Sequence, residues 1–138
     1  MPRRDVYHET VKQALIKDGW TITHDPFTIP IGPHRLFVDL GAERLLAAEK
    51  AEQHIAVEVK SFLSPSRVDD LEKALGQYVL YRSLLERSEP ERDLYLAVPQ
   101  ETFEDFFSMP LGQVVIEDHH LKLIAFDPAQ EVIKEWIE

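Results

Sequence analysis

Residues 55–60 read IAVEVK and combine a hydrophobic alternation with two charged side chains, Glu58 and Lys60. Because strand side chains alternate between the two faces of a sheet, the isoleucine and the two valines share one face, and the alanine, glutamate and lysine share the other. The first face suits a core, and the second presents a carboxylate beside an amine. The segment therefore predicts a strand of a central sheet that carries a chemically active edge.

Two neighbouring runs, residues 36–40 and 44–50, have the same strand character as residues 54–61. Their short connecting segments favour an antiparallel meander of three strands. In the first run, alternation places Leu36, Val38 and Leu40 on one side and Phe37 and Asp39 on the other. We therefore expect Asp39 and Glu58 to converge on one edge of the sheet.

The remaining patterns predict helices over residues 4–19 and 68–87, with Asp5 as the N-cap of the first and Gly19 as its end. Residues 20–34 predict a short strand that gives way to a proline-rich loop. Further segments follow the long helix: strands over 92–98 and 121–126, a short helix over 99–107, and a terminal helix over 132–137. This order indicates an α/β (α+β) fold, a central mixed β-sheet flanked by helices, in a single domain spanning residues 1–138.

Composition narrows the function classes. The chain has 138 residues, 44% of them hydrophobic, and no cysteine, so disulfides, thiolate nucleophiles and cysteine zinc sites are excluded. It shows neither an apolar run of about 18 residues nor a signal-peptide pattern, so we expect no membrane span and a cytoplasmic location. The net charge of −10 opposes DNA binding unless a local basic patch or a basic partner intervenes. The candidates for that patch are Arg3, Arg4, Lys12, Lys17, Arg35 and Arg67.

Two carboxylates and a lysine at one sheet edge are suited to metal-assisted phosphodiester cleavage. Asp39 and Glu58 would hold Mg²⁺ or Mn²⁺ through hard oxygen ligands, and Lys60 would stabilise the developing charge. Gln77 and Tyr81 lie four residues apart, on one face of the long helix. The plain alternatives are an edge-strand ion pair for Glu58 and Lys60, a packing tyrosine and an exposed glutamine.

Together these residues resemble the PD-(D/E)XK nuclease pattern, whose fold is the restriction-endonuclease-like core. Asp39 matches its first acid, Glu58 and Lys60 match its (D/E)xK half-motif, and Gln77 with Tyr81 match the Gln-xxx-Tyr helix of the RecB-like branch. The chain departs from the pattern at residue 38, a valine where the motif has proline. By the same resemblance, Glu9 would be the further acid that some members carry on the leading helix, and a third metal ligand.

A second likeness covers nearly the whole chain. Six runs resemble the XisH family: residues 5–12, 15–20, 23–26, 38–43, 58–62 and 70–78. This resemblance implies control of fdxN element excision during programmed DNA rearrangement, alongside a site-specific recombinase and a small companion protein, XisI.

Three functions are consistent with these observations. The first is a metal-dependent deoxyribonuclease or DNA-processing subunit. The second is a non-catalytic regulatory protein that docks XisI or the recombinase through a nuclease-derived scaffold, and the third is an antitoxin-like module of a two-protein pair. A homo-oligomer is compatible with each. A zinc protease is excluded because Lys12 stands where its second histidine would be, and no nucleophile elbow or phosphate-binding loop is present.

Overall fold

The computed structural model describes residues 4–46 and 51–138. Its helices are α1 (His8–Lys17), α2 (Arg67–Ser88), α3 (Gln100–Thr102) and α4 (Pro110–His119), with a π-helical turn over Phe103–Phe107 between the last two. Its strands are β1 (Thr21–His24), β2 (Phe27–Ile31), β3 (His34–Val38), β4 (Leu40–Leu46), β5 (Ala51–Val59), β6 (Arg92–Pro99), β7 (Leu123–Asp127) and β8 (Val132–Ile137). Within these ranges, no helix combines the length and the apolarity that crossing a membrane requires.

Six strands form one mixed sheet in the order β1-β4-β5-β6-β7-β8, which confirms the predicted fold class. Strands β5 and β7 run parallel to β6, which lies between them. The pairs β1–β4, β4–β5 and β7–β8 are antiparallel. Parallel strands need a long crossover connection, and α2 forms the connection from β5 to β6. The carboxyl end of β5 therefore lies beside the start of the crossover that leads into α2.

Each face of the sheet has its own core. On one face, α1 packs Val11 and Leu15 against the β5 side chains Ile55, Val57 and Val59, so the predicted alternation of β5 is confirmed. On the other face, α2 and the β2–β3 hairpin cover Ala56 together with side chains of β6 and β7. Glu58 belongs to this second face, beneath α2.

The predicted three-strand meander is wrong. Residues 36–40 do not form one strand, because the chain bends at Asp39: β3 pairs with β2 in a separate hairpin, and β4 begins at Leu40. Consequently Val38 and Leu40 enter opposite cores instead of sharing a face. The strand expected over residues 44–50 starts earlier, at Leu40, and residues 47–50 lie outside the described ranges.

Three other expectations need correction. The proline-rich loop contains strand β2, whose Pro30 is exposed on a two-stranded ribbon where a missing N–H costs little. The terminal segment is strand β8, not a helix, because Trp136 packs edge-on against Tyr95 at a ring-centroid distance of 5.0 Å. Helix α4 was not predicted, although Pro110 occupies its first turn.

Two glycines give opposite tests of the packing. A Cβ on Gly76, within α2, would meet nothing within 4 Å, whereas a Cβ on Gly112 would lie 2.5 Å from Cα of Phe107. We expect Gly76→Ala to stabilise the fold by about 0.5–1 kcal/mol, and Gly112→Ala to destabilise it by about 1–3 kcal/mol. Urea unfolding of both variants measures these changes. A stabilised Gly112→Ala protein would contradict the close approach of α4 to the π-helical turn.

Candidate active site

Asp39 and Glu58 are held together by reciprocal hydrogen bonds between side chain and backbone. The Asp39 amide donates to Glu58 Oε1 at 3.1 Å, and the Val59 amide donates to Asp39 Oδ2 at 2.7 Å. The Glu58 carboxylate thus fixes the backbone of Asp39, and the Asp39 carboxylate fixes the backbone of Val59, the residue after Glu58. The structure brings these two predicted residues together, and it does so at the bend between β3 and β4.

Lys60 follows directly after β5 and stays beside the sheet. Its amide donates to the carbonyl of Ala97 at 3.0 Å, which continues the parallel pairing with β6 for one more residue. Its Nζ lies 3.8 Å from Glu58 Oε2. The backbone amides bind Asp39 Oδ2 and Glu58 Oε1, so Asp39 Oδ1 and Glu58 Oε2 have no backbone donor, and the two side chains also lie within hydrogen-bonding reach of each other.

Burial and mutual repulsion make this pair electrostatically costly. Glu58 is only 5% exposed. Burial and then the charge of Asp39 raise the pKa of Glu58 to about 8, and the Lys60 ammonium only partly offsets these effects. Burial also raises the pKa of Asp39, against the lowering effect of the Val59 hydrogen bond. Additional positive charge at the pair would therefore be strongly stabilising.

Helix α2 contributes both of its predicted residues to the same place. Gln77 and Tyr81 line a cavity of about 300 Å³ together with Asp39, Glu58 and Lys60. Burial, followed by the charges of the two carboxylates, raises the pKa of Tyr81 to about 12, so its hydroxyl remains a hydrogen-bond donor. The packing alternative for Tyr81 also holds, because the ring belongs to the core beneath α2.

Gln77 carries one of two buried polar side-chain atoms that have no hydrogen-bond partner among the described residues. The atom is Oε1, and the other such atom is Nδ1 of His8. Buried polar atoms are nearly always paired, with protein or with ordered water. An unpaired amide oxygen in the wall of this cavity favours a site that receives a ligand over a purely structural cluster.

The leading segment supplies a different acid from the one expected. Glu9 points to solvent, with its side chain 62% exposed and 3.9 Å from Lys12, and it does not line the cavity. Asp5 lines it instead, accepting from the amides of Ser61 at 3.0 Å and Tyr7 at 2.9 Å. Helix α1 begins at His8, so Asp5 is not its N-cap but ties the incoming chain to the segment after β5.

Arg4 and Phe37 complete the cavity wall, and the sequence patterns did not identify either as part of a site. Arg4 was expected only as a member of a basic patch, and Phe37 only as a strand residue. Sequence alone gives little indication of either residue, because arginines near a terminus and phenylalanines in strands are common in proteins without being part of a site.

Asp25 neutralises several of the nearby cations. It accepts hydrogen bonds from Lys12 at 2.9 Å and Arg4 at 3.3 Å, and it lies 2.6 Å from Nε2 of the buried His8. Two of the proposed patch residues are thus engaged in an internal network. A third, Lys17, donates to a backbone carbonyl at 2.9 Å, and Arg3 lies outside the described residues.

A second acidic cluster on β4 and β5 is best explained as an ion-pair network. His54 lies 3.1 Å from Glu43 and 3.6 Å from Glu52, and the buried Arg92 lies 3.6 Å from Glu43. The three ligand-type side chains are close enough to hold an ion. Because Arg92 and His54 already face these carboxylates, we assign the cluster to strand pairing.

Comparisons with known proteins agree with one another. The family model described as XisH protein matches residues 1–134. The crystal structure of an XisH family protein from Nostoc punctiforme PCC 73102 is 46% identical, with a TM-score of 0.87, and the match covers 97% of this chain and all of that one. That of a fdxN element excision controlling factor protein from Anabaena variabilis is also 46% identical, with a TM-score of 0.88 over 98% of this chain and all of that one. No curated protein matches.

The raised pKa of Glu58 predicts a pH-dependent stability. The folded protein keeps a proton on Glu58 that the unfolded chain loses near its ordinary pKa of 4.5. The stability from this proton is therefore complete below pH 4.5 and is lost as the pH rises through about 8. Glu58→Gln stays neutral and still accepts from the Asp39 amide.

We expect Glu58→Gln to stabilise the metal-free protein at pH 8 by about 1 kcal/mol or more, since one pKa unit corresponds to about 1.4 kcal/mol. At pH 5 the gain should be much smaller. Thermal unfolding of both proteins in EDTA at the two pH values measures it. An equal effect at both pH values would show that Glu58 does not titrate in this range.

Proposed function

The chain belongs to the XisH family, and we propose that it takes part in the control of DNA excision as a divalent-metal-dependent, nuclease-like subunit. The role in excision is supported by the Anabaena variabilis protein, which is described as an excision controlling factor and shares 46% of its residues over nearly the whole chain. The nuclease-like chemistry is supported by the site itself.

The observation that carries the proposal is the reciprocal bonding of Asp39 and Glu58. It presents a buried carboxylate, Glu58, beside a partly buried one, Asp39; each has one oxygen that no backbone amide binds, and Lys60 adjoins the pair. Carboxylate oxygens are the ligands that Mg²⁺ and Mn²⁺ prefer. The donor set therefore fits such an ion, and the resemblance of Asp39, Glu58 and Lys60 to the PD-(D/E)XK pattern supports the same assignment.

Each residue of the cavity has a task in this proposal. Asp39 and Glu58 would hold the ion, which supplies a Lewis acid for the phosphate and lowers the pKa of a bound water. Lys60 stabilises negative charge that develops on the phosphate. Tyr81 donates a hydrogen bond to a phosphate oxygen, and Gln77 orients a water or a substrate hydroxyl through its buried Oε1.

The net charge of −10 is compatible with DNA binding because it is unevenly distributed. Residues 1–85 contain 12 acidic and 11 basic side chains, a net charge of −1, whereas residues 86–138 contain 13 acidic and four basic ones, a net charge of −9. Every residue that lines the cavity lies in the first of these segments. The acidic excess of the chain therefore comes from residues that do not line the cavity.

Two variants separate metal binding from catalysis. We expect Asp39→Ala to weaken Mn²⁺ binding at least tenfold, measured by calorimetry, because it removes a ligand. Lys60→Ala should keep the ion and lose about 10²–10³-fold in the rate of DNA cleavage, the usual effect of removing one charge-stabilising group. Glu9→Ala is the matched control and should change neither quantity. Unchanged Mn²⁺ binding in Asp39→Ala would remove the metal site from the proposal.

A docking role is a second candidate, and the surface around α4 favours it. Residues 93–121 contain six acidic side chains and neither lysine nor arginine. Among them, Met109, Leu111 and Val114 are 53%, 45% and 54% exposed. An acidic surface with apolar side chains suits a basic protein partner, such as an XisI-like companion or a site-specific recombinase.

Size-exclusion chromatography with an XisI-like companion tests this candidate. We expect a complex that Val114→Lys weakens at least tenfold, because the change places a charge where apolar contact is needed. Leu80→Lys, at a similarly exposed position on α2, is the control and should leave the complex intact. Equal behaviour of the two variants would place the contact elsewhere.

A further inference from the structure

The β2–β3 hairpin presents two chemically different faces. Its side chains alternate, so Phe27, Ile29 and Val38 enter the core beneath α2. The opposite face carries Thr28, Pro30, Arg35 and Phe37, paired across the ribbon as Thr28 with Phe37 and Pro30 with Arg35. The sequence patterns predicted a loop for most of this hairpin, so they gave no indication of this outer surface.

Phe37 is an aromatic side chain that does not contribute to either hydrophobic core. It is only partly buried. Its ring forms no aromatic pair within the described residues, whereas Phe27 on the same hairpin packs edge-on against His24. Phe37 lines the cavity that contains Asp39 and Glu58. An unpacked ring in the wall of a polar cavity is positioned to contact a ligand.

Arg35 extends this surface away from the cavity. It lies two residues before Phe37 on the same face of β3, which places the two side chains about 7 Å apart along the strand. Arg35 is exposed, and it takes part in none of the ion pairs found among the described residues. The hairpin segment, residues 26–38, contains no acidic residue at all in a chain that has 25 of them.

We propose that the outer face of the β2–β3 hairpin binds single-stranded DNA, with a base stacked on Phe37 and a phosphate held by Arg35, and guides the strand into the Asp39–Glu58 cavity. This inference deepens the proposed function and rests on it, because it names the form of DNA that the site takes. Arg4 also lines the cavity, but Asp25 already engages its guanidinium, so Arg35 is the cation that this proposal uses.

The preference for single strands follows from the geometry of stacking. In a duplex, each base lies between its neighbours, and its faces are not free to meet a side chain unless it is flipped out of the helix. An unpaired nucleotide offers a free face, and stacking on an aromatic ring is largely independent of sequence. A surface with one aromatic ring and one arginine therefore favours a strand end, a flap or a gap over intact duplex.

Fluorescence anisotropy of a labelled 12-nucleotide single strand, and of the corresponding duplex, tests the inference in Mn²⁺ and in EDTA. We expect tighter binding of the single strand. Phe37→Leu keeps an apolar side chain but loses the ring, and it should weaken single-strand binding about 5- to 150-fold, the range for one stacked base. Phe37→Tyr, which retains a ring, should bind as the wild type does.

Arg35→Gln gives an independent readout. Removing one phosphate contact to a single strand should reduce the slope of log K against log salt by about 0.7. Lys134→Gln, on the edge strand β8 outside the hairpin, removes the same charge and should leave that slope unchanged. An equal effect of the two variants, equal affinity of Phe37→Leu and wild type, or no single-strand binding in either condition overturns the inference.

The outcomes also separate this inference from the proposed function. If Asp39→Ala loses Mn²⁺ while Phe37→Leu binds single strands as the wild type does, the metal site stands and the hairpin surface fails. If Asp39→Ala binds Mn²⁺ like the wild type but Phe37→Leu loses single strands, the hairpin surface stands and the metal site fails.

Discussion

The pair of hydrogen bonds that links Asp39 and Glu58 extends the contact between β4 and β5 just beyond their last paired residues, Leu40 and Val57. One bond fixes the bend at which the chain leaves the hairpin for the sheet, and the other fixes the last residue of β5. Both bonds use the side chain of one acid and the backbone beside the other. The local structure therefore depends on two carboxyl groups that would repel each other if both were charged. Such a strained pair lowers the stability of the fold, and perturbed groups of this kind are typical of functional sites.

The rest of the structure accommodates this repulsion without removing it. Lys60 lies 3.8 Å from Glu58, too far for a hydrogen bond, and the pKa of Glu58 stays raised to about 8. Tyr81 lines the same cavity as a neutral donor, and Asp25 engages two further cations, Arg4 and Lys12. Because the protein supplies so little compensating charge of its own, an external cation has a large electrostatic advantage at this site.

The sequence predicted best where a regular alternation has no competing interaction. The faces of β5 and the extent of the long helix α2 were predicted correctly, since each depends only on local periodicity, and Gln77 and Tyr81 of that helix line one cavity. The errors lie where tertiary contacts override local patterns. Residues 36–40 alternate like one strand, but the bend at Asp39 carries the chain from the β2–β3 hairpin into the six-stranded sheet. In the leading segment, α1 starts at His8 and not at residue 4, and the acid that lines the cavity is Asp5 and not Glu9.

The same bend links the carboxylate pair to the hairpin. Gly41, two residues after the bend, lies so close to the hairpin that a Cβ there would approach Phe27 to 2.9 Å, so β2 packs directly on the start of β4. With Phe27 and Val38 fixed in the core, alternation leaves Phe37 on the opposite face. A substitution that straightened the bend would displace both Asp39 and Phe37, because one turn of the backbone determines the positions of the metal-binding candidate and the aromatic ring. The hairpin is thus structurally part of the site, although it belongs to a different sheet.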